Sequence, residues 1–136
     1  MYEEREQSQT SKGRKWAGII MSGLPILFML MDGSMKLFKP EVVVKSTVEL
    51  GYNENVIVPL GIVLLACTVL YIVPRTAVLG AILLTGYLGG AVATHVRVGA
   101  GAFPILFPIV FGAFIWGGLY LRDRSVAALI PLRNTK

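Results

Sequence analysis

Cysteine and histidine are almost absent from this sequence, since Cys67 and His95 are the only ones in 136 residues. A single thiol excludes an intrachain disulfide, and it argues against the four-helix membrane thiol oxidoreductases, whose chemistry needs two sulfur atoms. One histidine cannot supply both axial ligands of a bis-histidine haem, and the sequence offers too few ligands for a structural zinc site. We interpret Cys67 as a small apolar packing residue.

Charged residues are also scarce. They make up 15% of the chain, whereas 54% of the residues are hydrophobic, and ordinary soluble domains have about 25% charged residues. A soluble protein of this length could not bury so much apolar surface. The excess of basic over acidic residues, 13 against 8, lies at the ends of apolar blocks, which is typical of membrane topology control and argues against nucleic-acid binding. No phosphate loop, dinucleotide fingerprint or nucleophile elbow is found.

Four stretches are long and apolar enough to cross a bilayer, which takes about 20 residues. Residues 56–73, 77–94 and 103–121 contain no charged residue. The first stretch, about 16–38, carries Asp32 and Lys36, but their i, i+4 spacing lets the two charges neutralise each other on one helix face.

The sequence therefore predicts an all-α membrane protein, an antiparallel bundle of four transmembrane helices within residues 16–122. Residues 1–15 are predicted to be a disordered tail, and 123–136 a second tail. Between the first two spans, Glu41, Lys45 and Glu49 share one helix face, which favours a short interfacial helix. An extended segment is the alternative, because residues 42–44 are all valine.

Lysine and arginine are distributed unequally between the two sides of the predicted bundle. Nine of the 13 fall on the side of the termini and four on the other side. The positive-inside bias predicts that both termini are cytoplasmic.

Small residues recur at four-residue spacing in the last two spans. Gly86 and Gly90 are followed by Thr94 in the third, and Ala113 by Gly117 in the fourth. Such stripes let helix backbones approach closely. We predict packing within the chain, with dimerisation as the alternative.

Polar residues that are costly in lipid converge on the outer end of this topology. They are Asp32, Lys36, Tyr87, Thr94, His95 and Arg97. The convergence predicts a ligand pocket there, in which His95 could relay protons beside a quinone or another amphipathic molecule. The simpler alternative is that Asp32 and Lys36 form an ion pair that stabilises the end of the first span, and that His95 and Arg97 are ordinary interfacial residues. No catalytic residue is assigned.

The stretch 71–99, preceded by residues 31–38, resembles the DoxX-like family of small four-helix membrane proteins. The resemblance lies in Gly33 and Lys36, in the turn Pro74–Thr76, and in a Gly-Gly-Ala followed by Thr-His, namely Gly89, Gly90, Ala91, Thr94 and His95. It implies a four-helix bundle in a bacterial cytoplasmic membrane. It implies little about activity, although the family is named for a subunit associated with a quinone-linked oxidase.

Many members of this family carry a glutamate early in the second helix. Here the corresponding residues are Gly61, Ile62, Val63 and Leu64, none of them acidic. This departure argues against a proton-handling role for the second helix.

Three functions follow as hypotheses. The first is an accessory membrane protein that binds a lipophilic molecule, a second copy or a larger membrane complex through its outer end. The alternative is a subunit of a quinone-linked oxidoreductase. A minimal transporter comes third, since the sequence has neither internal repeats nor interrupted helices.

Overall fold

The computed structural model describes residues 2–130, with side chains from Lys12 onward. The described residues form six α-helices and no strand. The helices are α1 (Tyr2–Phe38), α2 (Glu41–Glu49), α3 (Ile57–Ile72), α4 (Ala77–Arg97), α5 (Ala102–Arg122) and α6 (Arg124–Leu129). Short 3₁₀ turns, Glu54–Val56 and Pro74–Thr76, precede α3 and α4.

Four of these helices are long and apolar enough to cross a membrane. The candidate spans are Lys12–Phe38, Glu54–Ile72, Pro74–Arg97 and Ala102–Arg122. The predicted all-α bundle of four transmembrane helices is therefore confirmed. The helix predicted between the first two spans is also present as α2, so the extended alternative for residues 42–44 is wrong.

The ends of the chain differ from the sequence-based bounds. Helix α1 begins at Tyr2 rather than near Trp16, through the segment predicted to be a disordered tail. Its Glu, Gln, Arg and Lys residues are good helix formers, and a helix already nucleated by an apolar span extends at low cost. Part of the predicted C-terminal tail forms α6, whose N-terminus is capped by the Asp123 carboxylate. Residues 131–136 lie outside the described residues.

The spans form a ring in which each helix packs mainly on two others. Helix α1 packs on α3 and α5, and α4 packs on the same two, so α1 and α4 lie diagonally opposite. The fully buried side chains Leu64, Tyr71, Leu84, Ile115 and Leu119 form the core. Large apolar side chains cover much of the outside, as expected where lipid is the solvent. Helices α1 and α4 both terminate at the same end of the bundle, which is called the α2 end from here on.

Glycine sets the closest helix contacts, but not at the positions that the stripe in the third span predicts. A Cβ built on Gly18 would lie 2.7 Å from the Gly118 carbonyl oxygen, and one on Gly61 would lie 3.0 Å from the Gly33 carbonyl oxygen. These two pairs allow α1 to approach α5 and α3 closely.

Gly86 and Gly90 do not lie at a helix contact within the described residues, since a Cβ on either would meet nothing within 4 Å. Both glycines are exposed because they line a cavity inside the bundle and not a helix contact. In α5, Ala113 is also exposed, whereas a Cβ on Gly117 would lie 2.7 Å from Met21 Cε. Of the predicted packing residues, Gly117 is thus at a contact between α1 and α5.

Candidate functional site

A cavity of about 470 Å³ lies inside the bundle at the α2 end. All four spans contribute to its wall, and α2 with the loop after it closes one side. Five of the six polar residues predicted to share a pocket line this cavity: Asp32, Lys36, Tyr87, Thr94 and His95. They meet because α1 and α4 reach their C-terminal turns at the same end of the bundle.

Asp32 and Lys36 form an ion pair across one turn of α1. The Lys36 side chain is 15% exposed and that of Asp32 is 34% exposed, so the pair sits at the border between the cavity and solvent. Its two charges cancel, which lowers the cost of placing them in an otherwise apolar wall. The pair adds hydrogen-bonding groups to the cavity without adding net charge.

His95 is held in one orientation by its own helix. Its Nδ1 atom lies 2.7 Å from the carbonyl oxygen of Ala91. A carbonyl oxygen only accepts hydrogen bonds, so we assign the ring proton to Nδ1. In the neutral ring Nε2 is then the nitrogen that can accept a hydrogen bond from a ligand.

The hydroxyls of Thr94 and Tyr87 differ in how they are used. Thr94 donates to the Gly90 carbonyl oxygen at 2.8 Å, which leaves its oxygen to accept from the Tyr52 hydroxyl, also at 2.8 Å. The Tyr87 hydroxyl makes no hydrogen bond to any residue in the described part of the chain, although Tyr87 lines the cavity. Tyr87 therefore has a free donor and acceptor on the cavity wall.

Arg97 is at the same end of the molecule but does not line the cavity. Its Nη2 atom donates to the Leu50 carbonyl oxygen at 2.9 Å. The same atom would lie 2.7 Å from a Cβ on Gly51. Arg97 thus fastens the loop after α2 to the end of α4.

The apolar wall is largely aromatic. The Phe28 ring stacks on Phe111 with a centroid separation of 4.8 Å, and Phe107 meets both rings edge-on at 5.2 and 4.6 Å. These residues and Tyr52 were not predicted from the sequence. The i, i+4 spacing of Phe107 and Phe111 could have revealed the aromatic face of α5.

Of the residues that line the cavity, only Asp32 and His95 belong to the types His, Cys, Asp and Glu. No group of three or more His, Cys, Asp or Glu residues that could hold a metal ion occurs in the part of the chain that the structure describes. The polar groups on the wall instead suit hydrogen bonding to an organic molecule.

Comparison with known proteins gives one match. A model of the DoxX-like family matches residues 20–118, which is well over half of the chain and includes every residue that lines the cavity. No curated protein and no solved structure matches.

Proposed function

Because the chain belongs to the DoxX-like family and has four membrane-spanning helices, we propose that this multi-pass membrane protein binds a lipophilic small molecule in its cavity. The observation that carries the proposal is the cavity itself. An apolar, partly aromatic wall there carries a few convergent polar groups, which is the usual composition of a small-molecule site.

The size of the cavity suits one small amphipathic molecule. Its 470 Å³ lies within the range of about 300–1,000 Å³ found for ligand pockets. The rings of Phe28, Phe107 and Phe111 would hold the apolar part of such a molecule. The groups on α1 and α4 would hold its polar end.

The polar groups define the chemistry of that end. Asp32 and Lys36 already neutralise each other, so a charged ligand would bring an unpaired charge into an apolar site, at high cost. The Nε2 atom of His95 can accept a hydrogen bond from a ligand hydroxyl. The free hydroxyl of Tyr87 can donate a hydrogen bond to a ligand oxygen. We therefore propose a neutral ligand whose polar end carries both a hydroxyl and an oxygen acceptor.

A matched pair of substitutions on α4 tests this proposal. Ala91 lines the cavity, whereas Ala93 is exposed outside it. Native mass spectrometry of the purified protein should show a retained neutral molecule, which Ala91→Phe should lose because its ring fills the cavity. Ala93→Phe should keep it. Retention that is equal in the two variants, or a wild-type protein free of any bound molecule, would contradict the proposal.

The second candidate function is that of a quinone-linked oxidoreductase subunit. The stacked and edge-on arrangement of Phe28, Phe107 and Phe111 favours a planar ring, and His95 is placed to exchange a proton with it. In this function, His95→Gln should lower quinone reduction in isolated membranes at least about a hundredfold, the low end of what a general acid–base group contributes. Unchanged quinone reduction would exclude His95 from that role.

A further inference from the structure

Helix α2 covers the cavity but is loosely held. Residues Val43, Ser46 and Thr47 of this helix line the cavity. Thr47 is its only buried residue, and α2 makes few contacts with the four spans. An element with few buried apolar contacts opens at low free-energy cost.

The backbone turns sharply at both ends of α2. Lys39, just before it, has φ 53°, and it is the only non-glycine residue in the left-handed region among the described residues. Gly51, just after it, has φ 92°. A left-handed lysine is costly, so a rotation that relaxes Lys39 would recover part of that free energy. Lys39 is the natural hinge of the segment 39–52, and Gly51 bends this segment into the loop that carries Tyr52.

Two hydrogen bonds fasten the C-terminal side of this segment to α4. Arg97 donates to the Leu50 carbonyl oxygen at 2.9 Å, and the Tyr52 hydroxyl donates to Thr94 Oγ1 at 2.8 Å. A third polar contact, from Lys39 Nζ to Glu54 at 3.3 Å, joins the start of the segment to the turn that precedes α3. The contacts to α4 are therefore the ones that keep α2 closed over the cavity.

We propose that α2 is a gate, hinged at Lys39 and latched by Arg97 and Tyr52, that opens the cavity to the aqueous phase. This inference rests on the proposed function, since a gate serves a site that binds something. Thr94 also lines the cavity, and its hydroxyl has already used its proton on Gly90. A ligand hydroxyl that bonds to Thr94 would compete with Tyr52, so that binding loosens the latch.

The test measures access to the cavity and needs no ligand. A cysteine is introduced by Ala91→Cys in a Cys67→Ala background, and the protein in lipid nanodiscs is treated with a charged, water-soluble methanethiosulfonate reagent. We expect slow labelling of the Ala91→Cys thiol. Tyr52→Phe and Arg97→Gln should each accelerate it about two- to tenfold, the effect of losing a typical hydrogen bond on the fraction of open molecules.

Lys45→Gln is the matched control, because it alters the charge of an exposed α2 residue without touching a latch, and its labelling rate should be unchanged. Tyr52→Phe removes a single oxygen atom, so it keeps the test decisive if Arg97→Gln fails to fold. Labelling that is equally slow in both latch variants, or an Ala91→Cys thiol that never reacts, would overturn the gate. The retention of a neutral molecule is a separate measurement and would stand or fall independently.

Discussion

Tyr71 places a hydroxyl in the buried core of the bundle. Its side chain is fully buried, and its hydroxyl donates to the Ile115 carbonyl oxygen at 2.7 Å and lies 2.9 Å from Ser22 Oγ. One side chain of α3 thus joins α5 and α1. Tyr71→Phe keeps the ring and removes this junction, so we expect a loss of about 1 kcal/mol in the free energy of unfolding.

Unfolding in mixed micelles measures this loss. Tyr120→Phe is the control, because the Tyr120 hydroxyl makes no hydrogen bond within the described residues, and its effect should be close to zero. Equal stability of both variants and the wild type would show that the junction contributes nothing.

The ion pair on the cavity wall gives a second prediction at this scale. Lys36→Met leaves the Asp32 carboxylate without its partner in a largely apolar wall, and we expect a loss of about 1–2 kcal/mol, moderated by the partial exposure of Asp32. Adding Asp32→Asn removes the unpaired charge, so the double variant should recover part of the loss. Unfolding of the four proteins in the cycle measures this coupling, and simple additivity would contradict it.

The sequence predicted much of this cavity residue by residue, for a definite reason. Asp32 and Lys36 are one helical turn apart, and the topology brings the last turns of α1 and α4 to the same end, so their polar side chains had to meet. Tyr52 escaped prediction because it lies in a loop. The path of that loop depends on the left-handed Gly51 and on Arg97, neither of which leaves a periodic signal.

At the scale of the helices, alanine substitutions at two glycines that both lie within apolar spans should have opposite effects on stability. A Cβ on Gly118 would collide with Ser22 Oγ and lie 2.9 Å from the Gly18 carbonyl oxygen, whereas a Cβ on Gly86 would meet nothing. Gly118→Ala must push α1 away from α5, and we expect a loss of about 1–3 kcal/mol. Gly86→Ala should be neutral or stabilising by up to about 1 kcal/mol, since alanine favours helix.

The same unfolding assay measures both variants. Gly86 lines the cavity, so a destabilised Gly86→Ala would mean that this part of the cavity is filled in the folded protein. A Gly118→Ala variant as stable as the wild type would contradict the close contact between α1 and α5.

Helix packing was harder to predict than helix position. Four apolar stretches of spanning length are sufficient to place four helices, because every backbone polar group in lipid must be bonded within its own segment. A small-residue stripe, in contrast, indicates that another helix can approach the backbone closely, but it does not indicate which helix does so. Gly18 and Gly118 are 100 residues apart in the sequence, and no local pattern links them.

At the scale of the whole molecule, the orientation in the membrane is a prediction that follows from charge. Nine of the 13 Lys and Arg residues lie at the end of the bundle opposite the α2 end or in the terminal segments. The positive-inside bias then places both termini in the cytoplasm and α2 outside. A cavity gated by α2 would in that orientation open to the outer aqueous phase.

Two valines test this orientation directly. Val73 precedes α4 and Val98 follows it, and both are exposed. In a Cys67→Ala background expressed in a bacterial host, Val98→Cys should react with a membrane-impermeant maleimide in intact cells, whereas Val73→Cys should react only after the cells are permeabilised. The reverse labelling pattern would mean that the protein has the opposite orientation in the membrane, with the proposed gate on the cytoplasmic side. Reaction of both thiols in intact cells would mean that α4 does not cross the membrane, which would contradict the four-span topology itself.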